Sequence, residues 1–510
     1  MKTALISVSD KTGIVDFARD LQKLGIRILS TGGTYRALTE AGLKDVMEVS
    51  KFTGFPEGLE GRIKTLTPQV FGGILNLRNN KEHRAFCKKN KIENIDLVVV
   101  NLYPFKATYE NQKKSFEEKV EQIDIGGPSM IRAAAKNYKF CAPVVDPGDY
   151  CKILAFIKKD GDIPLDFRRI LATKVFEMTA HYDLLIAKFW SENSEKMPLR
   201  YGENPHQSAV ILSDPFLSGV NLVQASILNG KAMSYNNYQD ANAALELTAS
   251  FSTPFACIIK HASPCCAAVG KTIEEAFEKA YKEGDQASAF GGIIALNREV
   301  TKALAEQIIS FFNEIVLSPS YTKDALEILK TKKNLRILAI PNFNEVPGDL
   351  NVKKIRGGTL IQDSDSKEIT AKDLTPATKL FPDKKLIPDL LTAWKIVKIV
   401  KSNAIVVVKN GAMIGKGGGQ TSRVDAMKIA LSQANISPVG TEQCSVRRTE
   451  GAVLASDAFF PFPDSVEAAG EAGIAAIIQP GGSVKDDEVF AKCDELRIPT
   501  VLTGTRAFLH

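Results

Sequence analysis

Short apolar runs, each followed by a polar turn and a helical pattern, open the chain. Residues 4–8 and 26–29 have the length and character of buried strands. The first passes into Ser9-Asp10-Lys11-Thr12-Gly13 and then into helical spacing through Val15, Phe17, Ala18 and Leu21. The second passes into Ser30-Thr31-Gly32-Gly33-Thr34 and another helix. Strand, polar turn and helix in repetition predict a parallel α/β sheet with its loops grouped at the strand C-termini. Both turns suit an oxyanion: glycine backbone approaches closely, hydroxyls donate, and a helix N-terminus adds free N–H groups. Residues 97–100 form another buried run, and Asn101-Leu102-Tyr103-Pro104-Phe105 leaves its end. A helix is predicted after Asp124, through Met130 to Lys136.

Further along, residues 256–259 are apolar and end on Lys260-His261, with Ser263-Pro264 expected to turn the chain. A basic pair at the end of a buried strand is unusual. Burial would lower a lysine pKa and leave a histidine able to take a proton near neutrality. A capped strand with its polar end in water is the plainer alternative.

The second half of the chain reads as a loose internal repeat. Residues 258–264 match 405–411, residues 287–292 match 455–460, and residues 315–319 match 476–480. A stretch from about Asn342 to Asp389, rich in Pro, Asp and Lys, would join the copies. Helical spacing ends near Trp190, and the polar run from Ser191 to Pro198 reads as a linker. The segments expected are 1–195, 196–355 and 356–510.

Composition narrows the class. A chain of 510 residues, 44% hydrophobic and 24% charged, is globular in character and long enough for several domains. A net charge of +6 over this length gives no reason to invoke nucleic acid. Eight scattered cysteines without a Cys-x-x-Cys pair suggest reduced thiols. No signal-peptide pattern precedes the first strand, and no apolar run reaches the roughly 20 residues that span a bilayer. A cytoplasmic protein is expected, with room for a local basic pocket that takes an anionic metabolite.

The motifs SVSDKTG, STGGT, TGFPE, GRIKTLTP, NLYPF, IDIGGPSMIRAAAKN and RYGENPHQ occur in that order. In carrying them the sequence resembles, along its whole length, the bifunctional purine biosynthesis family that joins IMP cyclohydrolase to AICAR transformylase. The resemblance implies a methylglyoxal-synthase-like α/β domain followed by a duplicated, cytidine-deaminase-like α/β transformylase region. It implies that Ser9, Asp10, Lys11, Thr31, Gly32, Gly33, Thr34, Arg62, Lys64, Thr65, Asn101 and Asp124 line a nucleotide site. Lys136 would carry the proton there, assisted by Lys64, Tyr103 and Asp124. Ring closure needs an amide nitrogen to attack a formyl carbonyl and water to leave. Positioning, oxyanion stabilisation and proton movement suffice for it.

For the transformylase region the resemblance implies Lys260 and His261 as catalytic, with His261 the general base toward the AICAR amine. Arg200, Tyr201, His261, Gly291, Glu314, Asn403, Arg423, Phe459 and Arg506 would contact AICAR. Asn403 is expected at the exit of the strand that matches 256–259. Val424, Asp464, Ser483 and Val484 would face 10-formyltetrahydrofolate, the cosubstrate. The glycine-rich run from Gly415 to Arg423 lacks the Lys-Ser/Thr of a P-loop and reads as close approach to a ligand, with Arg423 as anion partner. No catalytic metal is expected: His261-Ala262-Ser263 lacks the Glu, and Pro264-Cys265-Cys266 the second Cys, of a zinc deaminase. A structural alkali cation is left open. The family forms homodimers with transformylase sites shared between subunits, so a homodimer is expected.

Departures from the family pattern are Thr67 and Phe71 in place of His, Cys266 in place of Gly, Glu314 in place of Asp, and Lys416 and Gly418 in the glycine-rich run. A cysteine at positive φ after His261 would be strained. The rival readings are a phosphate-eliminating lyase joined to a deaminase, and a nucleotide sensor without turnover. The missing zinc ligands weigh against the first. The four residues Lys64, Lys136, Lys260 and His261 weigh against the second.

Overall fold

The computed structural model describes residues 1–194, 199–214, 221–341, 350–436 and 447–510. The end of the expected linker, 195–198, and the start of the joining stretch, 342–349, lie outside the described residues. The chain divides into two compact units, Met1–Lys196 and Met197–His510.

In the first unit, β1 (Thr3–Val8), β2 (Arg27–Ser30), β3 (Val46–Glu48), β4 (Leu97–Asn101) and β5 (Ala142–Val144) form one parallel sheet in the order β3-β2-β1-β4-β5. Both faces are buried, which is why the strands read as continuous apolar runs. Ala4, Ile6, Ile28 and Val99 pack toward Phe17, Leu21 and Ile153. Leu5, Leu29, Val98 and Val100 pack toward Met130, Ile131 and Val175. Strand order reverses at β1, so the loops after β1 and β4 flank a crevice at the C-terminal edge.

The second unit is built on one twelve-stranded sheet. Its first half contains β6 (Ser226–Asn229), β7 (Phe255–Lys260), β8 (Ser263–Val269), β9 (Ile293–Leu296), β10 (Ile315–Ser318) and β11 (Arg336–Ala339). A separate hairpin, β12 (Leu350–Ile355) and β13 (Gly358–Asp363), stands apart from it. The second half contains β14 (Thr375–Pro376), β15 (Ile405–Lys409), β16 (Ala412–Gly417), β17 (Val453–Ser456), β18 (Ala476–Gln479) and β19 (Thr500–Leu502). Pairing repeats strand for strand. β7 lies antiparallel to β8 and β9, and β9, β10 and β11 are parallel; β15 lies antiparallel to β16 and β17, and β17, β18 and β19 are parallel. The halves join where Ala268 of β8 faces Ala412 of β16 in antiparallel register.

This repetition corrects part of the sequence reading. β10 does correspond to β18, and residues 258–264 do correspond to the β15–β16 region. Residues 287–292, however, precede β9, whereas Ala455 and Ser456 lie inside β17. A shared Ala-Ser pair misaligned those copies. The boundary at 355/356 falls at the tip of the β12–β13 hairpin.

Strand direction decides which loops meet. β7, β8, β16 and β15 are successive antiparallel neighbours, so the end of β7 and the start of β15 lie along the same edge of the sheet. The starts of β9, β10 and β11 and the ends of β17, β18 and β19 share that edge.

Candidate active sites

In the first unit the predicted turns gather at the C-terminal edge. Asn101, at the end of β4, accepts from the backbone N–H groups of Ser9 (2.5 Å) and Asp10 (2.9 Å), and its Nδ2 donates to the Asp10 carbonyl at 2.9 Å. The Thr34 hydroxyl accepts from Val8 N–H and donates to Val8 C=O, and Thr31 Oγ1 lies 2.9 Å from Ser7 Oγ. Both threonine hydroxyls are therefore spent on holding the loops together. The anion-binding capacity falls to the backbone N–H groups of Gly32 and Gly33 at the head of the Gly32–Glu40 helix. Gly32 has φ 42°, and a Cβ there would lie 3.2 Å from Lys64 Nζ, so the lysine ammonium sits directly over this turn. Lys64 is paired with Glu57 at 2.7 Å. Lys11 donates to Val8 C=O at 2.6 Å, and burial pulls its pKa down.

Asp124 sits just before the Gly126–Lys136 helix and accepts from Gly127 N–H at 2.9 Å. Burial raises its pKa, against the downward pull of backbone bonds from Gly127 and Tyr103. Its own N–H donates to Tyr182 Oη at 2.8 Å. Thr65 Oγ1 lies close to Gly126, and Tyr103 is exposed beside this group. Arg62 stands at the rim, paired with Glu121. Thr67 caps the Pro68–Leu75 helix, accepting from Val70 N–H, which gives that departure a structural role.

Lys136 is not brought to this group. It ends the helix that Asp124 precedes, about 15 Å away along the axis at 1.5 Å per residue. There it lines a separate cleft of about 380 Å³ with Tyr138, Arg169, Thr173 and Phe176. The neighbouring Asn137 is tied to the carbonyls of Ile74 and Asn76.

In the second unit, β7 and β8 are joined by a two-residue turn, His261-Ala262, with φ of 54° and 53°. The chain thus turns two residues earlier than Ser263-Pro264, which instead begin β8. Cys266 lies buried inside β8 and is not among the positive-φ residues, so the strain expected of it does not arise. The turn's N–H groups both donate to Asp240, at 3.3 Å from His261 and 2.7 Å from Ala262. Lys260 Nζ donates to Phe290 C=O at 2.8 Å, beside Gly291. Glu314, at the start of β10, accepts from Asn237 Nδ2 at 2.8 Å and lies 3.5 Å from Arg336. Arg200 lies over the Tyr201 ring at 5.4 Å, and its charge helps burial depress the Arg336 guanidinium.

The remaining residues collect on the second half of the same edge. Asn403 precedes β15, at its start and not at its exit as read from the sequence. Arg423 donates to Asn403 Oδ1 (2.6 Å), Ser456 Oγ (2.8 Å) and Asp457 Oδ1 (2.5 Å). Arg423 is therefore committed to a buried carboxylate rather than held free as an anion partner. Phe459 is half-buried just beyond, and Arg506 covers the Phe508 ring at 4.6 Å. Val424 is half-buried beside Arg423, Asp464 begins the Asp464–Glu471 helix, and Ser483 and fully exposed Val484 follow β18.

The glycine-rich run also differs from the reading. A Cβ on Gly415 or Gly417 would meet the carbonyls of Ala430 and Ala426 at 2.3 and 2.0 Å. Those glycines let the Arg423–Ala434 helix press on β16; only Gly419, at φ 69°, opens to free space. Lys416 donates to Ser263 Oγ at 2.7 Å, and burial lowers its pKa. Sequence reasoning missed Asp240, Arg336 and Asp457, because each acts through partners distant in sequence. Among the described residues, no group of three or more His, Cys, Asp or Glu side chains is placed to hold a metal ion.

Two loop clusters, each on the edge of its own α/β sheet and rich in lysines and backbone donors, define an enzyme of two catalytic modules. The family model of the AICARFT/IMPCHase bienzyme matches residues 134–433, and that of the MGS-like domain matches residues 13–129. Bifunctional purine biosynthesis protein PurH of Bacillus subtilis is 46% identical over 523 aligned positions, covering 100% of both chains. Those of Anoxybacillus flavithermus and Acetivibrio thermocellus are each 47% identical, again over 100% of both chains. The chain belongs to the PurH family of bifunctional purine biosynthesis proteins. It is an AICAR formyltransferase and IMP cyclohydrolase, acting on small-molecule substrates with a folate-type cosubstrate. Among the described residues, no helix is long and apolar enough to cross a membrane.

Proposed function

We propose that residues 196–355 and 356–510 together transfer the formyl group of 10-formyltetrahydrofolate to AICAR, and that residues 1–195 close the product, FAICAR, to IMP. The observation that most supports the first step is the placing of Lys260-His261 on the sheet edge that also carries Asn403, Arg423 and the loops after β18 and β19. The AICAR amine attacks the formyl carbon while the His261 imidazole takes its proton. Lys260 stabilises the tetrahedral oxyanion, and the folate N10 leaves carrying a proton. Arg200, Tyr201, Gly291, Glu314, Phe459 and Arg506 hold the nucleotide; Val424, Asp464, Ser483 and Val484 face the folate.

In ring closure the carboxamide nitrogen attacks the formyl carbonyl of the same molecule, and water leaves. The turns 9–13 and 31–34 hold the phosphate, Lys64 meets the oxyanion, and Tyr103 and Asp124 pass protons. Lys136 retains the role implied by resemblance, but from the far end of its helix it would serve the site of a second copy. A homodimer accommodates this. It also gives a purpose to the β12–β13 hairpin, an isolated two-stranded element of a kind marginal alone. Leu350, Val352 and Ile361 on one of its faces are 57–63% exposed. Cytoplasmic location agrees with the seven free cysteines among the described residues.

Incubation with AICAR and 10-formyltetrahydrofolate should release tetrahydrofolate and IMP in equal amounts. AICAR binding in calorimetry without turnover would overturn this reading in favour of a sensor.

A further inference from the structure

The fold contains the same turn twice, with different residues in it. β15 and β16 are joined by Asn410-Gly411, at φ 53° and 80°, as β7 and β8 are by His261-Ala262. Asn-Gly is the pair best suited to positive φ at both central positions of a two-residue hairpin. His-Ala is poorly suited, and Ala262 has no short polar side chain to compensate. In each copy an aspartate from the preceding helix grips the turn. Asp389 accepts from Gly411 N–H at 2.7 Å, and Asp240 accepts from both His261 and Ala262. Burial raises the pKa of both carboxyls, and the turn N–H groups lower it in each case.

The Asn410 turn lies on the opposite edge of the sheet from Lys260-His261, beside a cavity of about 500 Å³ to which no site residue contributes. One copy thus keeps the relaxed sequence where no chemistry is placed. The other keeps a strained sequence where two candidate catalytic side chains are carried. Strained backbone persists only where its surroundings over-determine it. Here three attachments do so: Asp240 beneath the turn, Lys260 tied to Phe290 C=O, and Ser263 tied to Lys416.

We propose that Asp240 is a positioning residue for formyl transfer, holding the strained turn so that His261 and Lys260 project toward the substrate edge. The proposal rests on the assignment of His261 as general base. Asp240 touches no reacting atom; its carboxylate acts through two backbone N–H groups. Misplacement of a catalytic group by about 1 Å costs on the order of 100-fold in rate.

The test measures formyl transfer to AICAR and cyclisation of supplied FAICAR in five full-length variants. Asp240→Asn and Asp240→Glu should each lower kcat for formyl transfer by about 10- to 100-fold. KM for AICAR should stay within about threefold and cyclisation should be unchanged. Adding Ala262→Gly to Asp240→Asn should recover at least about fivefold, because glycine accepts this φ without strain. Asp389→Asn, the matched control on the other copy, should leave both activities intact. His261→Ala separates the two ideas. If it abolishes formyl transfer while both Asp240 variants keep kcat within twofold of wild type, the positioning role is overturned and the base assignment stands. If His261→Ala retains formyl transfer, the base assignment falls and the positioning role with it. Should Asp240→Asn fail to fold, Asp240→Glu, which keeps the charge but displaces the turn, decides the matter.

Discussion

Arg423 and Asp457 form a buried ion pair whose side chains are 6% and 0% exposed. Asp457 also accepts from Ser402 Oγ at 2.5 Å, and Arg423 holds Asn403 and Ser456. Arg423→Met keeps much of the apolar stem but strips Asp457 of its cation. Leaving one buried charge uncompensated costs about 3–5 kcal/mol. For a urea m-value of about 3 kcal/mol/M, the transition should move down by about 1–1.7 M. Trp394 is 2% exposed in the second unit and Trp190 is 47% exposed in the first, so fluorescence in a Trp190→Phe background follows the second unit alone. Replacing both partners, Arg423→Met with Asp457→Leu, should recover most of the stability, because paired charges exchanged for apolar groups are often near neutral. It should not recover formyl transfer, since Asn403 stays released. A midpoint shift under about 0.3 M for Arg423→Met, roughly 1 kcal/mol at that m-value, would refute the reasoning.

The first unit offers three more tests. If Lys136 serves a second copy, Lys136→Ala and Asp124→Asn should each abolish cyclisation, yet mixed subunits should regain about one quarter of wild-type activity. That figure assumes random pairing, with half the dimers mixed and one of two sites intact in each; no recovery would place Lys136 in its own chain's site. The raised Asp124 pKa means that the folded protein binds more protons than the unfolded chain just above the ordinary carboxyl range. Stability should therefore fall as pH rises through that acidic window, and Asp124→Asn should flatten the slope in urea titrations. Thr67→Ala removes a helix cap and should cost about 1 kcal/mol in the same titrations, with little effect on turnover.

The parallel sheet and its loops were legible because both faces of each strand are buried and the turns carry their chemistry in consecutive residues. Ser9 to Lys11, Gly32 and Gly33 needed no tertiary information to be singled out. The duplicated region was legible in strand order but not in register, since a shared Ala-Ser pair outweighed the apolar pattern around it. The His261-Ala262 turn was misplaced by two residues because Pro264 is the stronger local signal, whereas the true turn uses positive φ at residues that seldom adopt it. Glycines 415 and 417 mark ligand loops and helix–strand contacts with equal force in sequence; the nearness of Ala426 and Ala430 decides between them. Asp240 carried no signal, because its partners lie 21 and 22 residues further on.

If the two reactions run on separate edges of separate units, losing one set of proton carriers must spare the other reaction. Supplying FAICAR directly to the His261→Ala enzyme and measuring IMP formation tests this division without any intermediate step. IMP should form at the wild-type rate, from an enzyme that releases no tetrahydrofolate when given AICAR and 10-formyltetrahydrofolate. Loss of both reactions together, in a variant whose first unit unfolds normally, would contradict it.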